Sequence, residues 1–332
     1  MKRYRYGAAI LCAACSVGSG GAAAQAPSTG SGQGYPNKPV RIVVPFAAGG
    51  PADIYARFLG QRLQEPTGQS FVIENRPGAG SIIGTDLVAK APADGYTLLL
   101  MSNTHTINES LIPKKPFALM KDFVPVAPVN YSDLLLVVHP SLPARNVKEL
   151  VALAKSKPRG LNYASSGNGT PYHLAAEYFK SLIGADIVHV PHKGSAEART
   201  SVMSGQVEMM FDAITTMAPL AKAGRVRALG TTGVKRSAVM PEVPTVAEAG
   251  VPGYEATIWL GVMAPANTPR AVLDRLHGEI TKITSRADVR KTWNEQGAEP
   301  LRMSIGEFEK YLNADIAKWA KVVKASGARA DQ

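Results

Sequence analysis

The sequence predicts an α/β protein of two lobes, with mixed, mostly parallel sheets, flanking helices and a cleft between the lobes. Three observations carry this expectation. Apolar runs of strand length alternate with helix-period segments. The 332 residues are long for a single core. A late strand returns the chain before it finishes as helices, so strands cross between two blocks.

The elements follow in order. Val40 to Phe46 is an apolar run that ends in Ala47-Ala48-Gly49-Gly50, and Asp53 to Leu63 has helical period. A strand at 71–74, a helix at 81–90 and a strand at 96–101 come next; Leu98-Leu99-Leu100 is apolar on both faces, as in a buried parallel strand. The apolar strand at 134–139 stops at Pro140. A second series then alternates: helix 147–155, strand 161–164, helix 172–183, strand 187–190, helix 196–204, strand 207–211, a helix to Ala223 and strand 226–230. Asn146 and Glu149 have capping-box spacing. The Gly/Pro-rich stretch 240–256 precedes strand 257–263, and helices at 270–284 and 305–324 end the chain. The expected organisation is residues 38–136 with 260–332 as one lobe and 137–259 as the other, with ligands held at the strand C-termini between them.

Residues 1–24 read as a secretory signal. Lys2, Arg3 and Arg5 precede a short apolar core, and Ala22-Ala23-Ala24 offers a cleavage site before Gln25. Cys15 follows Ala13-Ala14 as in a lipoprotein, although Cys12 stands where a large aliphatic residue is wanted. Residues 25–37 read as a flexible leader, and the signal before them implies export and cleavage. Both cysteines lie in the signal, which leaves no disulfide or thiolate metal ligand beyond it. The net charge is +11, or +8 without the three signal cations. The Lys and Arg residues are scattered and no aromatic platform accompanies them, which argues against nucleic acid and for small anions. His189 and His192 bracket Pro191 in a spacing that no tetrahedral metal motif requires.

Three strand-to-helix turns are candidates for binding. In the first, Phe46 to Gly50, glycine lets backbone approach a ligand, and the amides opening the next helix suit a carboxylate. Asp53 caps or braces that turn. In the second, Ser165, Ser166, Gly167, Gly169 and Thr170 supply donors, with Thr170 as N-cap, Pro171 at the first helical position and His173 facing the cleft. The third is Ser102-Asn103-Thr104-His105, of which the first three are candidate contacts. Lys193 adds positive charge, and Phe46 and Trp259 are candidate apolar walls. Asp212 completes the set; with Ser165 and His173 it also allows a Ser-His-Asp hydrolase to be imagined, but no Gly-x-Ser-x-Gly elbow is present. Gly78 to Gly84 imitates a dinucleotide fingerprint whose last spacing is one residue too long, so it reads as close helix packing or a backbone donor patch.

Several segments occur in a telling order: YPNKPVRIVVPFAAGGPAD from Tyr35, NRPGAGSIIG from Asn75, ADGY from Ala93 and YASSGNGTPYHLAA from Tyr163. HVPHKGSA from His189, GQVEMMFD from Gly205 and PEVPTVAEAG from Pro241 follow. Together they resemble the Bug-type solute-binding receptors of tripartite tricarboxylate transporters. The resemblance implies a periplasmic binding protein of Venus-flytrap form, without enzymatic activity or cofactor, acting as a monomer. Its ligand would be a dicarboxylate, a tricarboxylate, an acidic amino acid or an aromatic acid. It would deliver that ligand to a permease of one large and one small membrane subunit. His192 departs from the tyrosine common in the family before Lys-Gly. The competing expectations are an exported α/β hydrolase or esterase and a periplasmic sensor input protein.

Overall fold

The computed structural model describes residues 34–326 and 328; the expected signal, Cys15 and residues 25–33 lie outside them. The first block contains β1 (Val40–Val44), α1 (Pro51–Thr67), β2 (Phe71–Asn75), α2 (Ile82–Ala89), β3 (Thr97–Ser102), α3 (Asn103–Leu111) and the short α4 (Leu119–Asp122). The long strand β4 (Phe123–Val138) leads into α5 (Val147–Ser156), β5 (Asn162–Ser165), α6 (Pro171–Ile183), β6 (Val188–Pro191), α7 (Ser195–Met203), β7 (Met209–Ala213), α8 (Ile214–Lys222) and β8 (Arg227–Thr231). The chain returns through β9 (Thr257–Pro265) to α9 (Arg270–Ser285), α10 (Ala287–Glu295), β10 (Ala298–Pro300) and α11 (Ile305–Ser326).

The strands pair in the order β2-β1-β3-β9-β4-β7-β5-β6, and β8 and β10 also pair with β4. Pairing is parallel on the flanks, β1 with β2 and β3, and β5 with β6 and β7. Every pair that includes β4 or β9 is antiparallel. Residues 123–133 of β4 pair with β9, and residues 134–138 pair with β7 and β8. The apolar side chains divide in the same way. Val126, Ala127 and Val129 pack with β1, α1 and α9, whereas Leu134, Leu136 and Val138 pack with α5, α6 and β7. This is the two-lobed fold. Ile107 and Leu111 of α3, Leu174 of α6 and Trp319 of α11 form one apolar cluster.

The short elements α4, α10 and β10 were not expected from the sequence, and two larger departures have a physical reason. The first is β4, which starts at Phe123 and not at Leu134. Its register with β9 shifts between Pro125 and Ala127 and between Pro128 and Asn130. Irregularities of this kind accommodate a residue without an amide donor while erasing the two-residue period. The second is α3, a helix whose apolar stripe is only Ile107 and Leu111. Its polar side chains Asn103, Thr104, His105, Thr106 and Asn108 are buried, which conceals the helical pattern. The end of the expected leader is also held in place. Tyr35 donates to the Gly95 carbonyl at 2.6 Å and packs edge-on to Tyr96, while the Asn37 amide donates to the Tyr96 hydroxyl.

Candidate binding site

A cavity of about 740 Å³ opens where strand ends of both lobes give way to helices. Five helix N-termini contribute to its wall: α1 through Gly50 and Pro51, α2 through Ser81 and Ile82, α3 through Ser102 and Thr104, α6 through Thr170 and Pro171, and α7 through Gly194 and Ser195. Each N-terminus carries partial positive charge and amides without intrahelical acceptors. No Asp or Glu is among the described wall residues, whereas Lys114 and Lys193 are. The remaining wall is mostly apolar, including Phe46, Ile82, Ile112, Ile258 and Leu260.

The first turn is braced from behind. Gly49 has φ +80°, which favours glycine. Its amide donates to Asp53 Oδ2 at 3.0 Å, and Asp53 Oδ1 lies 2.9 Å from Arg57. Burial alone would raise the Asp53 carboxyl, but the Arg57 and Gly49 contacts outweigh it and hold the group below the usual carboxylate range. Asp53 is therefore a brace off the cavity wall, as are Ala48 and Gly49; Phe46, Ala47 and Gly50 are on the wall. The Phe46 carbonyl accepts from Asn75 Nδ2 at 3.1 Å, which fixes the start of the turn.

In the second turn, Ser166, Gly167 and Thr170 reach the wall. Thr170 Oγ1 donates to the Gly167 carbonyl at 2.7 Å and accepts from the His173 amide at 3.4 Å, the expected N-cap. Ser165, Gly169 and His173 lie beneath the turn and correct the expectation of direct contact. The Gly169 amide donates to His173 Nδ1 at 3.1 Å, and Ser165 Oγ lies 2.6 Å from His189 Nε2. The two imidazoles stack at 4.2 Å. Burial, the leading cause for each, pushes His173 down to about 4 and His189 down to about 3. A neutral ring is what the acceptor role of His173 Nδ1 requires.

The imagined catalytic triad is not assembled. Ser165 pairs with His189, whereas the fully buried Asp212 pairs with Arg199 at 2.9 Å. Burial raises the Asp212 carboxyl, with Arg199 opposing it. Asp212 is thus an anchor for Arg199 and not part of the wall. Arg199 also donates to the Gly49 carbonyl at 3.0 Å, linking the lobes. Nearby, a Cβ on Gly194 would come within 2.8 Å of the Ala47 Cβ, so glycine permits the lobes to meet there.

Trp259 is a core residue. It is 1% exposed, its Nε1 donates to Asp315 Oδ2 at 3.2 Å, and it packs against Phe308 and Tyr311. Ile258 and Leu260 take the wall instead, because neighbouring strand residues point to opposite faces. Asn103 is also displaced: its Nδ2 donates to the Thr257 carbonyl at 2.9 Å and ties α3 to β9. Ser102 and Thr104 remain on the wall.

Gly78 to Ile82, in the stretch that reads as close helix packing or a backbone donor patch, are on the wall, as are Ile112, Lys114, Tyr172 and Ser195, which sequence reasoning passed over. The glycines at 78, 80 and 84 were the available signal for the first group. His192, the departure from the family pattern, is on the wall beside Lys193, with Nδ1 3.0 Å from the Val190 carbonyl.

Known proteins reproduce both the sequence and the architecture. Protein BugT of Bordetella pertussis (strain Tohama I) is 36% identical over 297 residues, covering 89% of this chain and 91% of BugT. R. palustris Rpa4515, solved with adipate, has a TM-score of 0.86 at 38% identity, covering 89% of this chain and 99% of that one. MatC (Rpa3494) from Rhodopseudomonas palustris, with bound malate, has a TM-score of 0.83 at 31% identity, covering 87% and 100%. The family described as the tripartite tricarboxylate transporter family receptor matches residues 55–328. With that match covering most of the chain, the chain belongs to the tripartite tricarboxylate transporter receptor family.

Proposed function

We propose that the protein is an exported periplasmic receptor, without enzymatic activity, that captures a small organic carboxylate and delivers it to a two-subunit membrane permease. The observation that carries the reading is the convergence of five helix N-termini on a cavity with no acidic residue in its described wall. A carboxylate there accepts from amides that have no helical partner. Phe46, Ala47 and Gly50 contact it from the first turn, and Ser166, Gly167 and Thr170 from the second, with Ser102, Thr104 and Lys193 at the flanks. The lobes, 38–136 with 260–332 and 137–259, close over the ligand, and the permease senses the closed form. The apolar wall suits an aliphatic or aromatic carbon frame. The adipate of Rpa4515 and the malate of MatC make dicarboxylates the first acids to try.

Native mass spectrometry of freshly purified protein, followed by calorimetric titration with adipate, malate and benzoate, tests this. One acid bound per chain without turnover is the expected result. A saturating acid also raises the unfolding temperature, since a ligand at 100 times its Kd adds about 2.7 kcal/mol of stability. Absence of binding by every acid, or hydrolysis of an ester abolished by Ser165→Ala, overturns the proposal.

A further inference from the structure

The two lobes meet at two places on the cavity wall. At one, Gly194 lies so close to Ala47 that a Cβ on the glycine would be 2.8 Å from the alanine Cβ. At the other, a Cβ on Gly80 would lie 3.1 Å from the Asn168 carbonyl oxygen and 3.5 Å from Ile112 Cδ1. Each meeting place carries a lysine. Lys193 directly precedes Gly194, and Lys114 follows Ile112 by two residues; both are exposed and both belong to the wall.

Both cations are available to a ligand. Neither ammonium has a hydrogen-bond or ion-pair partner among the described residues, whereas the side chain of the adjacent Lys115 is buried and pairs with Glu109 at 3.1 Å. No Asp or Glu stands among the described wall residues to neutralise them. The rest of the wall is mostly apolar, and the half-buried Phe46, Ile82 and Ile112 keep part of their surface open. A monocarboxylate engages one meeting place and leaves the cation of the other without a partner. An apolar frame with an anion at each end engages both.

We infer that Lys114 is a specificity-determining residue: its ammonium takes the second carboxylate of an α,ω-dicarboxylate whose first carboxylate lies at the Phe46–Gly50 turn beside Lys193. This rests on the carboxylate-receptor reading above and narrows it to a doubly charged acid with an apolar frame. A lysine carries its charge on a flexible four-carbon stem, so an exposed one follows acids of different length. The contact therefore selects for the second charge and tolerates variation in the frame.

Lys114→Met and Lys114→Arg are compared with wild-type protein by calorimetric titration with matched pairs: succinate and butyrate, adipate and hexanoate, suberate and octanoate. Malate and benzoate serve as further probes. Unfolding temperatures without ligand stay unchanged, because Lys114 is exposed and unpaired. In the pair with the tightest dicarboxylate, wild type prefers the dicarboxylate by about tenfold or more, the effect typical of a hydrogen bond to a charged group. Lys114→Met loses about that factor for the dicarboxylate and keeps its affinity for the monocarboxylate, while Lys114→Arg retains the preference. Wild-type protein that binds both members of every pair equally overturns the inference. A Lys114→Met variant that keeps the preference, or that loses both acids alike, overturns it too. Binding of benzoate but of no dicarboxylate overturns it while leaving the receptor reading in place. Wild-type protein that binds none of these acids overturns that reading and, with it, this contact.

Discussion

Replacing Arg199 separates the closing of the lobes from the stability of the fold. Arg199 Nη1 donates to Asp212 Oδ2 at 2.9 Å and Nη2 to the Gly49 carbonyl at 3.0 Å, so α7 grips the first turn across the cleft. Arg199→Met strands a carboxylate that is fully buried. Removing one partner of a buried pair costs about 3–5 kcal/mol. Burial already raises the Asp212 pKa, so protonation absorbs part of the loss and about 3 kcal/mol is expected. That corresponds to a fall of about 6–12 °C in Tm, at about 2–4 °C per kcal/mol. Adding Asp212→Asn removes the stranded charge while the amide oxygen still accepts from the Ala213 amide, as Asp212 Oδ1 does at 2.8 Å. Most of the stability then returns, but the bond to Gly49 does not. A charge-assisted hydrogen bond contributes about 1.5–3 kcal/mol, so the double variant binds the acid about tenfold or more weakly. The loss falls in the dissociation rate, because the contact is made only when the lobes are together. Stopped-flow titration paired with thermal unfolding reads both quantities. A double variant with restored stability and wild-type dissociation would falsify the reasoning.

The other predictions concern pH and the second turn. Burial, the leading cause in each case, pushes His105 and His173 down to about 4 and His189 to about 3, below the ordinary value of about 6.5. Between those values the unfolded chain binds protons that the native one does not. Stability is therefore complete above about pH 6.5 and falls by several kcal/mol towards pH 4; equal urea midpoints at pH 7.5 and 4.5 would contradict this. Asp133 behaves oppositely: burial first, then Glu299 and Glu255, raises it to about 6. Its contribution is complete below about pH 4 and is lost as pH rises through 6, so Asp133→Asn is more stable than wild type by about 1–2 kcal/mol at pH 7.5, with little difference at pH 4. Urea titrations at both values measure that gap, and a gap independent of pH rules the mechanism out. Thr170→Ala removes the α6 cap and the bond to the Gly167 carbonyl, which costs about 1 kcal/mol of stability and weakens acid binding. Calorimetry that finds the affinity unchanged removes the second turn from the site.

Much of the fold was legible because α/β alternation is a periodic signal, and it failed where packing replaces periodicity. Strands β1 to β3 and β5 to β7 are short and apolar, and their expected positions agree with the observed ones to within a few residues. The first half of β4 was hidden because Pro125 and Pro128 accompany register shifts that only its pairing with β9 reveals. Helix α3 was hidden for the opposite reason. Thr106 Oγ1 donates to Asp315 Oδ2 at 2.6 Å, and Asn103 and Asn108 donate to the Thr257 and Gly80 carbonyls. Each of those partners is distant in sequence, so no local pattern foretells a buried polar helix.

The site was legible as a set of turns but not as a set of atoms, for a reason rooted in hydroxyl chemistry. A Ser or Thr at a strand-to-helix turn reaches its own backbone first. Ser102 caps α3, Thr170 caps α6, and Ser165 accepts from the Gly167 amide at 3.1 Å. These residues mark the site because they shape it, and their donors are already used. Backbone amides at the helix starts, which carry no residue identity, are left to face a ligand. Ser81 is different because its left-handed backbone and the bonds from Asn108 and Thr85 hold the carbonyls of the turn while its hydroxyl stays unpaired. A capping pattern read along the chain therefore finds the wall of such a cavity without naming the backbone amides that face what enters it.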